Sequence, residues 1–99
     1  MKRCEITVPL YYNDGRPIEE EKLETTKKEL IEKSGGFSFN PHWSGRWRHE
    51  GRDYEDKNAI FQVDHKNIDI EFLSAYKEVL KERFQQLEIR ITIHDISVV

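Results

Sequence analysis

Apolar and polar residues alternate in two stretches, one near each end of the chain. In the first stretch the apolar positions are Cys4, Ile6, Val8, Leu10 and Tyr12. In the second they are Leu87, Ile89, Ile91 and Ile93. A period of two places successive side chains on opposite faces of a strand. Both stretches are therefore predicted to be strands with one buried face and one polar face.

Two stretches between them have the period of a helix. Pro17 suits a first helical turn and Gly35 a helix end, so the first helix is predicted over residues 17–33. Its apolar and small positions are Leu23, Thr26, Leu30 and Ile31. The polar segment 64–69 can cap a second helix. That helix has one apolar face, made of Phe72, Leu73, Tyr76, Val79, Leu80 and Phe84.

The middle of the chain has the pattern of a hairpin. Phe37 and Phe39 begin a strand, and Pro41 cannot donate to a strand ladder, which predicts an edge position or a bulge. Aromatic residues continue at odd positions with Trp43 and Trp47. Glu50-Gly51 offers a turn, after which the chain returns through Tyr54 to an apolar strand with Ala59, Phe61 and Val63.

The element order is βαββαβ, which predicts a single α+β domain over residues 1–99 with the ferredoxin-like arrangement. In that arrangement the first and third strands are central and both helices cover one face of the sheet. The other face is expected to carry Arg3, Glu5, Thr7, Gln62, Glu88, Arg90, Thr92 and His94. A full uncovered face and two sheet edges favour self-association, and a homodimer is the commonest solution.

Composition restricts the partners. Sixteen Lys and Arg against nineteen Asp and Glu give a formal charge of -3, and the two signs interleave, so no global field favours nucleic acid or a membrane. A single cysteine excludes an intrachain disulfide framework and any multi-cysteine zinc motif. The first residues lack the apolar run of a signal peptide, from which a cytoplasmic location is expected. No His pair has a metal-ligand spacing, and no phosphate-binding loop is present, so we predict neither metal nor cofactor.

The hairpin holds the residues most suited to binding. Trp43 and Trp47, four apart on a strand, share a face and can flank a flat ligand. Arg46, Arg48 and Arg52 form a basic cluster with His42 and His49, and a guanidinium can bind a carboxylate or phosphate through two hydrogen bonds. Arg46 and Arg48 are predicted to lie on the face opposite the tryptophans. The candidate ligand-binding set is Trp43, Trp47, His42 and Arg46. The alternatives are that the tryptophans cover the core or an edge, and that the arginines pair with the acidic residues nearby.

Three residues of the same segment are candidates for acid–base chemistry. His49, Tyr54 and Asp56 are residue types that transfer protons, and an imidazole held by a carboxylate titrates near neutral pH. In a charged turn such groups are more often solvated than catalytic. Cys4, on the apolar face of a central strand, is predicted to be a core residue with a raised pKa.

Short motifs resemble a small bacterial family described only as a domain of unknown function. They are Gly45-Arg-Trp47, Gly51, Asp56 before an apolar strand, Tyr76-Lys77, and Phe84-Gln85. Members of that family have a Gly-x-Trp hairpin and a Tyr-Lys…Phe-Gln second helix on a ferredoxin-like fold. The resemblance covers about residues 36–98 and implies the fold but no activity.

Three functions remain open at this point. The first is a self-associating module that binds a protein or a small anionic or aromatic molecule through the hairpin. The second is a small cofactor-independent enzyme similar to the dimeric α+β-barrel group, in which Trp43 and Trp47 hold the substrate and His49 or Asp56 moves a proton. The third is a single-strand nucleic-acid binder, which requires aromatic residues on the open sheet face.

Overall fold

The computed structural model describes all 99 residues, in a four-stranded antiparallel sheet with two helices. The elements are β1 Lys2–Pro9, α1 Glu20–Ser34, β2 Ser38–His49, β3 Arg52–His65, α2 Ile70–Arg83 and β4 Arg90–Asp95. The strand order is β2-β3-β1-β4, which makes β1 and β3 central. The predicted βαββαβ ferredoxin-like fold is confirmed.

One hydrophobic core lies between the sheet and the two helices. Its largest fully buried side chains include Phe61 of β3 and Phe84 just after α2. The periodicity places nine residues in the core: Ile6, Val8, Leu30, Phe61, Leu73, Tyr76, Leu80, Ile89 and Ile91. Seven of them are buried, and Leu73 and Ile91 are partly buried against the core. Both alternation and helical period therefore identified the correct faces.

The first helix begins three residues later than predicted. Pro17 does not start the helix, because it forms a bridge with Tyr11 in a small turn closed by Gly15, whose φ is 89°. The Ile18 N–H donates to the Leu10 carbonyl (2.9 Å), which keeps the chain extended as far as Ile18. Gly35 ends α1 in the left-handed conformation, φ 78°, as predicted.

Three apolar residues of the second helix and of the strand after it are exposed although the sequence predicts them to be buried: Val79, Leu87 and Ile93. Asp69 caps α2 by accepting from the Phe72 N–H (2.9 Å), in agreement with the sequence. Val79 is exposed, however, because the narrower stripe through Tyr76, Leu80 and Phe84 fills the space against the sheet. Leu87 is also exposed, because the ladder between β1 and β4 begins only at Arg90.

The open face of the sheet is polar, and its charged groups other than Arg90 are paired across strands. Arg3 donates two hydrogen bonds to Asp64, at 2.8 and 3.1 Å. Glu5 accepts from the Gln62 amide (3.0 Å) and lies 2.9 Å from the His94 ring. Such cross-strand pairs were expected. Ile60 is an apolar exception on this face and is buried.

Glu88 was expected on the same open face, and that prediction is wrong. Its carboxylate lies 2.7 Å from Lys77 Nζ of α2. Glu88 lies before the first residue of β4, Arg90, so the alternation of side chains along the strand does not determine its direction. No helix of the structure is both long enough and apolar enough to cross a membrane.

Candidate functional site

The hairpin extends beyond the body of the sheet. β1 pairs with β3 only as far as Asn58, opposite Pro9, so residues 43–57 form a two-stranded ribbon, called here the hairpin arm. From Trp43 to His49 it runs about 20 Å at the usual rise of a strand. All its residues are exposed except Gly45, which is intermediate. Because a two-stranded hairpin alone is marginally stable in water, the arm relies on strong cross-strand contacts or on a partner.

A bulge at the root of the arm decides where the tryptophans lie. Phe39 of β2 pairs with the core residue Phe61, but the register shifts between Asn40 and Trp43. After the shift Trp43 lies opposite Asn58, on the side of the open face. Pro41 and His42 together lie opposite the single residue Ala59, so β2 has one extra residue here, and the His42 N–H donates to Asn40 Oδ1 (2.8 Å). Odd-numbered residues of β2 therefore point toward the core before the bulge, as Phe39 does, and toward the side of the open face after it, as Trp43 does.

Four of the predicted residues contact one another on one side of the arm. Trp47 stacks on Tyr54 with ring centroids 4.4 Å apart and planes 13° apart. The Trp47 indole N–H donates to Asp56 Oδ2 (3.0 Å), and the His49 ring lies 6.4 Å from the Trp47 ring. Trp43 shares this side by its register. These five residues form the aromatic face of the arm, with Trp43 and Trp47 45% and 48% exposed.

Arg46 and Arg48 lie on the other side of the arm. Arg48 donates two hydrogen bonds to Asp53, at 2.6 and 3.2 Å, and Arg46 lies 3.7 Å from Glu55. The Arg48 guanidinium lowers the pKa of Asp53 from its ordinary value through these hydrogen bonds. Arg46 and Arg48 therefore lie opposite Trp43 and Trp47, as the alternation predicts, and both pair with acidic residues of the arm.

The predicted acid–base residues share a face but do not form a hydrogen-bonded set. No hydrogen bond joins His49, Tyr54 and Asp56, and the carboxylate nearest to His49 is Glu50, at 3.7 Å. The Asp56 carboxylate is engaged by the Trp47 indole instead. Within one copy of the chain the arrangement holds an aromatic surface in place and assembles no proton relay.

Cys4 has the surroundings that the sequence predicts. The thiol is buried among core residues, with the residue 2% exposed. Burial raises its pKa to about 11, and the nearby Glu5 carboxylate adds to the shift. A thiol of this kind is a weak nucleophile. No three His, Cys, Asp or Glu side chains converge in a way that could hold a metal ion.

Sequence reasoning did not identify a cleft beside the root of the arm. The cleft has a volume of about 830 Å³ and is called here the root cleft. It lies between three segments of the chain: the end of β1 with the turn that follows it, residues 55–58 of β3 at the base of the arm, and residues 86–90 leading into β4. Its lining includes Tyr11, Asp56, Lys57, Gln86 and Arg90. These residues are up to 79 positions apart, so no local pattern could have brought them together.

Comparison with known proteins supports the fold of this chain but does not assign the chain to a family. The structure is similar to the divalent cation tolerance protein Cut A1 from Thermus thermophilus, with a TM-score of 0.63 at 22% identity over all of this chain and 87% of that one. It is also similar to a phage SAM lyase in complex with S-methyl-5'-thioadenosine, with a TM-score of 0.60 at 17% identity over 95% of this chain and 80% of that one.

No family model and no curated protein matches the sequence. The family suggested by the short motifs is therefore supported only as far as its fold.

Proposed function

We propose that this protein is an interaction module that self-associates through the aromatic face of its hairpin arm. The observation that carries the proposal is a two-stranded ribbon, free of the sheet body, with two exposed tryptophans and the half-exposed Tyr54 on one side. Aromatic side chains bury a large area at little entropic cost and are enriched at interfaces. An arm of this kind gains most of its missing stability when a partner covers it.

A second copy of the chain is the partner that the charges favour. The arm carries as many basic as acidic side chains: Arg46, Arg48, Arg52 and Lys57 against Glu50, Asp53, Glu55 and Asp56. A surface with balanced charge does not repel its own copy, although the whole chain has a charge of -3. The free edge of β2 adds unpaired backbone groups beside the aromatic face. In a closed two-fold dimer, the aromatic face and the free β2 edge of each copy are covered by the same surface of the other copy.

Light scattering on the intact chain tests this proposal. The expected mass is twice 11.9 kDa at high micromolar concentration. The double variant Trp43→Ser/Trp47→Ser is expected to shift the mass toward one chain, because it removes the two largest exposed rings. Val79→Ser is the matched control, since Val79 is similarly exposed at 44% but lies on α2 away from the arm.

Tryptophan fluorescence supplies an independent measurement. Both tryptophans of the chain lie in the arm, so the emission maximum reports burial of the arm alone. Dilution of the dimer should move the emission to longer wavelength. A single-chain mass at high concentration, with emission independent of dilution, would contradict self-association. A mass of three or more chains would retain self-association and exclude the two-fold dimer.

The two alternatives rank lower on specific observations. For the cofactor-independent enzyme, no hydrogen bond within one chain orients His49 or Tyr54 for proton transfer, and the Asp56 carboxylate accepts from the Trp47 indole. A single-strand nucleic-acid binder needs stacking residues on the central strands, where the open face carries the paired Arg3 and Asp64 instead. We expect no binding of single-stranded RNA or DNA in a fluorescence-anisotropy titration at physiological salt. Micromolar binding that is lost in the double tryptophan variant would reverse this ranking.

A further inference from the structure

The root cleft contains two cations that no acidic side chain neutralises. Eleven of the sixteen Lys and Arg side chains form an ion pair within 4.0 Å, which leaves five without one. Lys57 and Arg90 are two of these five, and both line the root cleft. Neither side chain donates a hydrogen bond to another residue. The cleft therefore offers positive charge that the fold itself does not use.

The carboxylates that line the same cleft are already engaged. Glu88 lies 2.7 Å from Lys77, and Glu55 lies 3.7 Å from Arg46. Asp56 accepts a hydrogen bond from the Trp47 indole (3.0 Å). With Glu55 and Glu88 compensated by these partners, the lining holds two cations without an ion pair, Lys57 and Arg90, and one carboxylate without a cationic partner, Asp56. The local balance favours an anion, even though the whole chain is acidic.

An aromatic ring and amide groups accompany the cations. Tyr11 is 44% exposed at the cleft, and its hydroxyl has no hydrogen-bond partner, whereas the neighbouring Tyr12 is buried. The backbone of Tyr11 is held by its bridge to Pro17, so the ring is attached to a fixed turn. Asn13 and Gln86 lie beside it, 3.4 Å apart. Ligand sites commonly combine a surface for a flat group with a few polar side chains that fix orientation.

We propose that the root cleft binds a small molecule that joins a planar ring to an anionic group. The Tyr11 ring stacks on the planar part, and Arg90 and Lys57 attract the anion. The volume of about 830 Å³ is within the range typical of small-molecule sites. Lys57 and Asp56 belong to both the arm and the cleft, whereas Tyr11 and Arg90 lie outside the arm, so substitutions at Tyr11 and Arg90 test the cleft separately from self-association.

Calorimetric titration with three related probes tests the assignment. Adenosine 5'-monophosphate carries both a ring and an anion, adenosine lacks the anion, and inorganic phosphate lacks the ring. The monophosphate is expected to bind more tightly than either of the other two, and more weakly as salt is added. Equal affinity for phosphate and the monophosphate would overturn the role of the ring, and equal affinity for adenosine would overturn the role of the cations.

Variants locate the binding. Arg90→Gln and Tyr11→Ala are each expected to weaken binding of the monophosphate by about tenfold or more, the usual scale for a lost charged hydrogen bond or stacking contact. Arg52→Gln is the matched control, since Arg52 is also exposed and without an ion pair but lies at the tip of the arm.

Several results would overturn the proposal. The first is no heat of binding to the wild-type chain at monophosphate concentrations up to about 10 mM, where the binding free energy would be only about -2.7 kcal/mol. The others are unchanged affinity in both cleft variants and equal weakening by Arg52→Gln. Circular dichroism and the light-scattering mass of each variant establish that the fold and the oligomer are intact. Failure of the cleft is thereby distinguished from failure of the arm.

Discussion

A partly buried ion pair between the two helices provides the sharpest test of the packing. Arg83 of α2 donates to both carboxylate oxygens of Glu29 of α1, at 2.6 and 3.0 Å, and also to Thr26 Oγ1 at 2.8 Å. The Tyr76 hydroxyl donates to the same carboxylate at 3.0 Å. The Arg83 side chain is 15% exposed and that of Glu29 is 38% exposed. This network is the principal polar link between the helices.

The proposed perturbation is Arg83→Met, which keeps an unbranched stem and removes the guanidinium. A hydrogen bond to a charged group contributes about 1.5–3 kcal/mol, and loss of one partner from a fully buried pair costs about 3–5 kcal/mol. Glu29 remains in contact with water, so the penalty is smaller here. We expect the free energy of unfolding to fall by about 2 kcal/mol at pH 7. For a domain of this size that corresponds to roughly 8–16 °C in Tm.

The loss should depend on pH. The Arg83 hydrogen bonds lower the pKa of Glu29 below its ordinary value of 4.5. A carboxylate with a lowered folded-state pKa stabilises the fold fully above its unfolded pKa and ceases to do so as the pH falls through the folded value. The difference between wild type and Arg83→Met should therefore be largest at neutral pH and shrink well below pH 4.5.

Denaturant unfolding at matched chain concentration measures these differences, since self-association would otherwise change the apparent stability. A double-mutant cycle with Glu29→Gln should give a coupling energy of about 1–2 kcal/mol, within the range for residues in one network. A loss below about 0.5 kcal/mol, which is typical of a surface substitution, would refute the reasoning. A loss that is equal at pH 7 and pH 3 would refute its electrostatic part.

Three further predictions concern the core, a helix end and the thiol. Leu80→Ala should lower the free energy of unfolding by about 2–5 kcal/mol, whereas Val79→Ala on the exposed side of the same helix should change it by less than about 0.5 kcal/mol; equal losses in denaturant unfolding would refute the core assignment. Gly35→Ala should cost about 1–2 kcal/mol because φ is 78°, and Gly36→Ala, where φ is not positive, should cost less. Cys4 should react with a thiol reagent at pH 8 only through opening of the fold, so its rate should rise in denaturant; rapid reaction of the native chain would contradict the raised pKa.

Local pattern was sufficient for the elements and their order. Alternation in β1 and the apolar stripe of α2 identified the buried faces, because side-chain direction repeats every two residues in a strand and every 3.6 in a helix. Pro41 correctly marked an edge strand and a bulge, and Gly35 correctly marked a helix end. These features depend on backbone geometry within a few residues, which the amino-acid sequence determines directly.

Only the tertiary structure decided what the candidate residues contact. The bulge before Trp43 reversed the direction of the side chains in the arm, and the length of β1 determined where the arm leaves the sheet. The Glu29–Arg83 pair joins residues 54 positions apart, and the root cleft gathers three separated segments. Such contacts depend on sheet register and helix packing, which are set by interactions across the whole chain and leave no local periodicity to read.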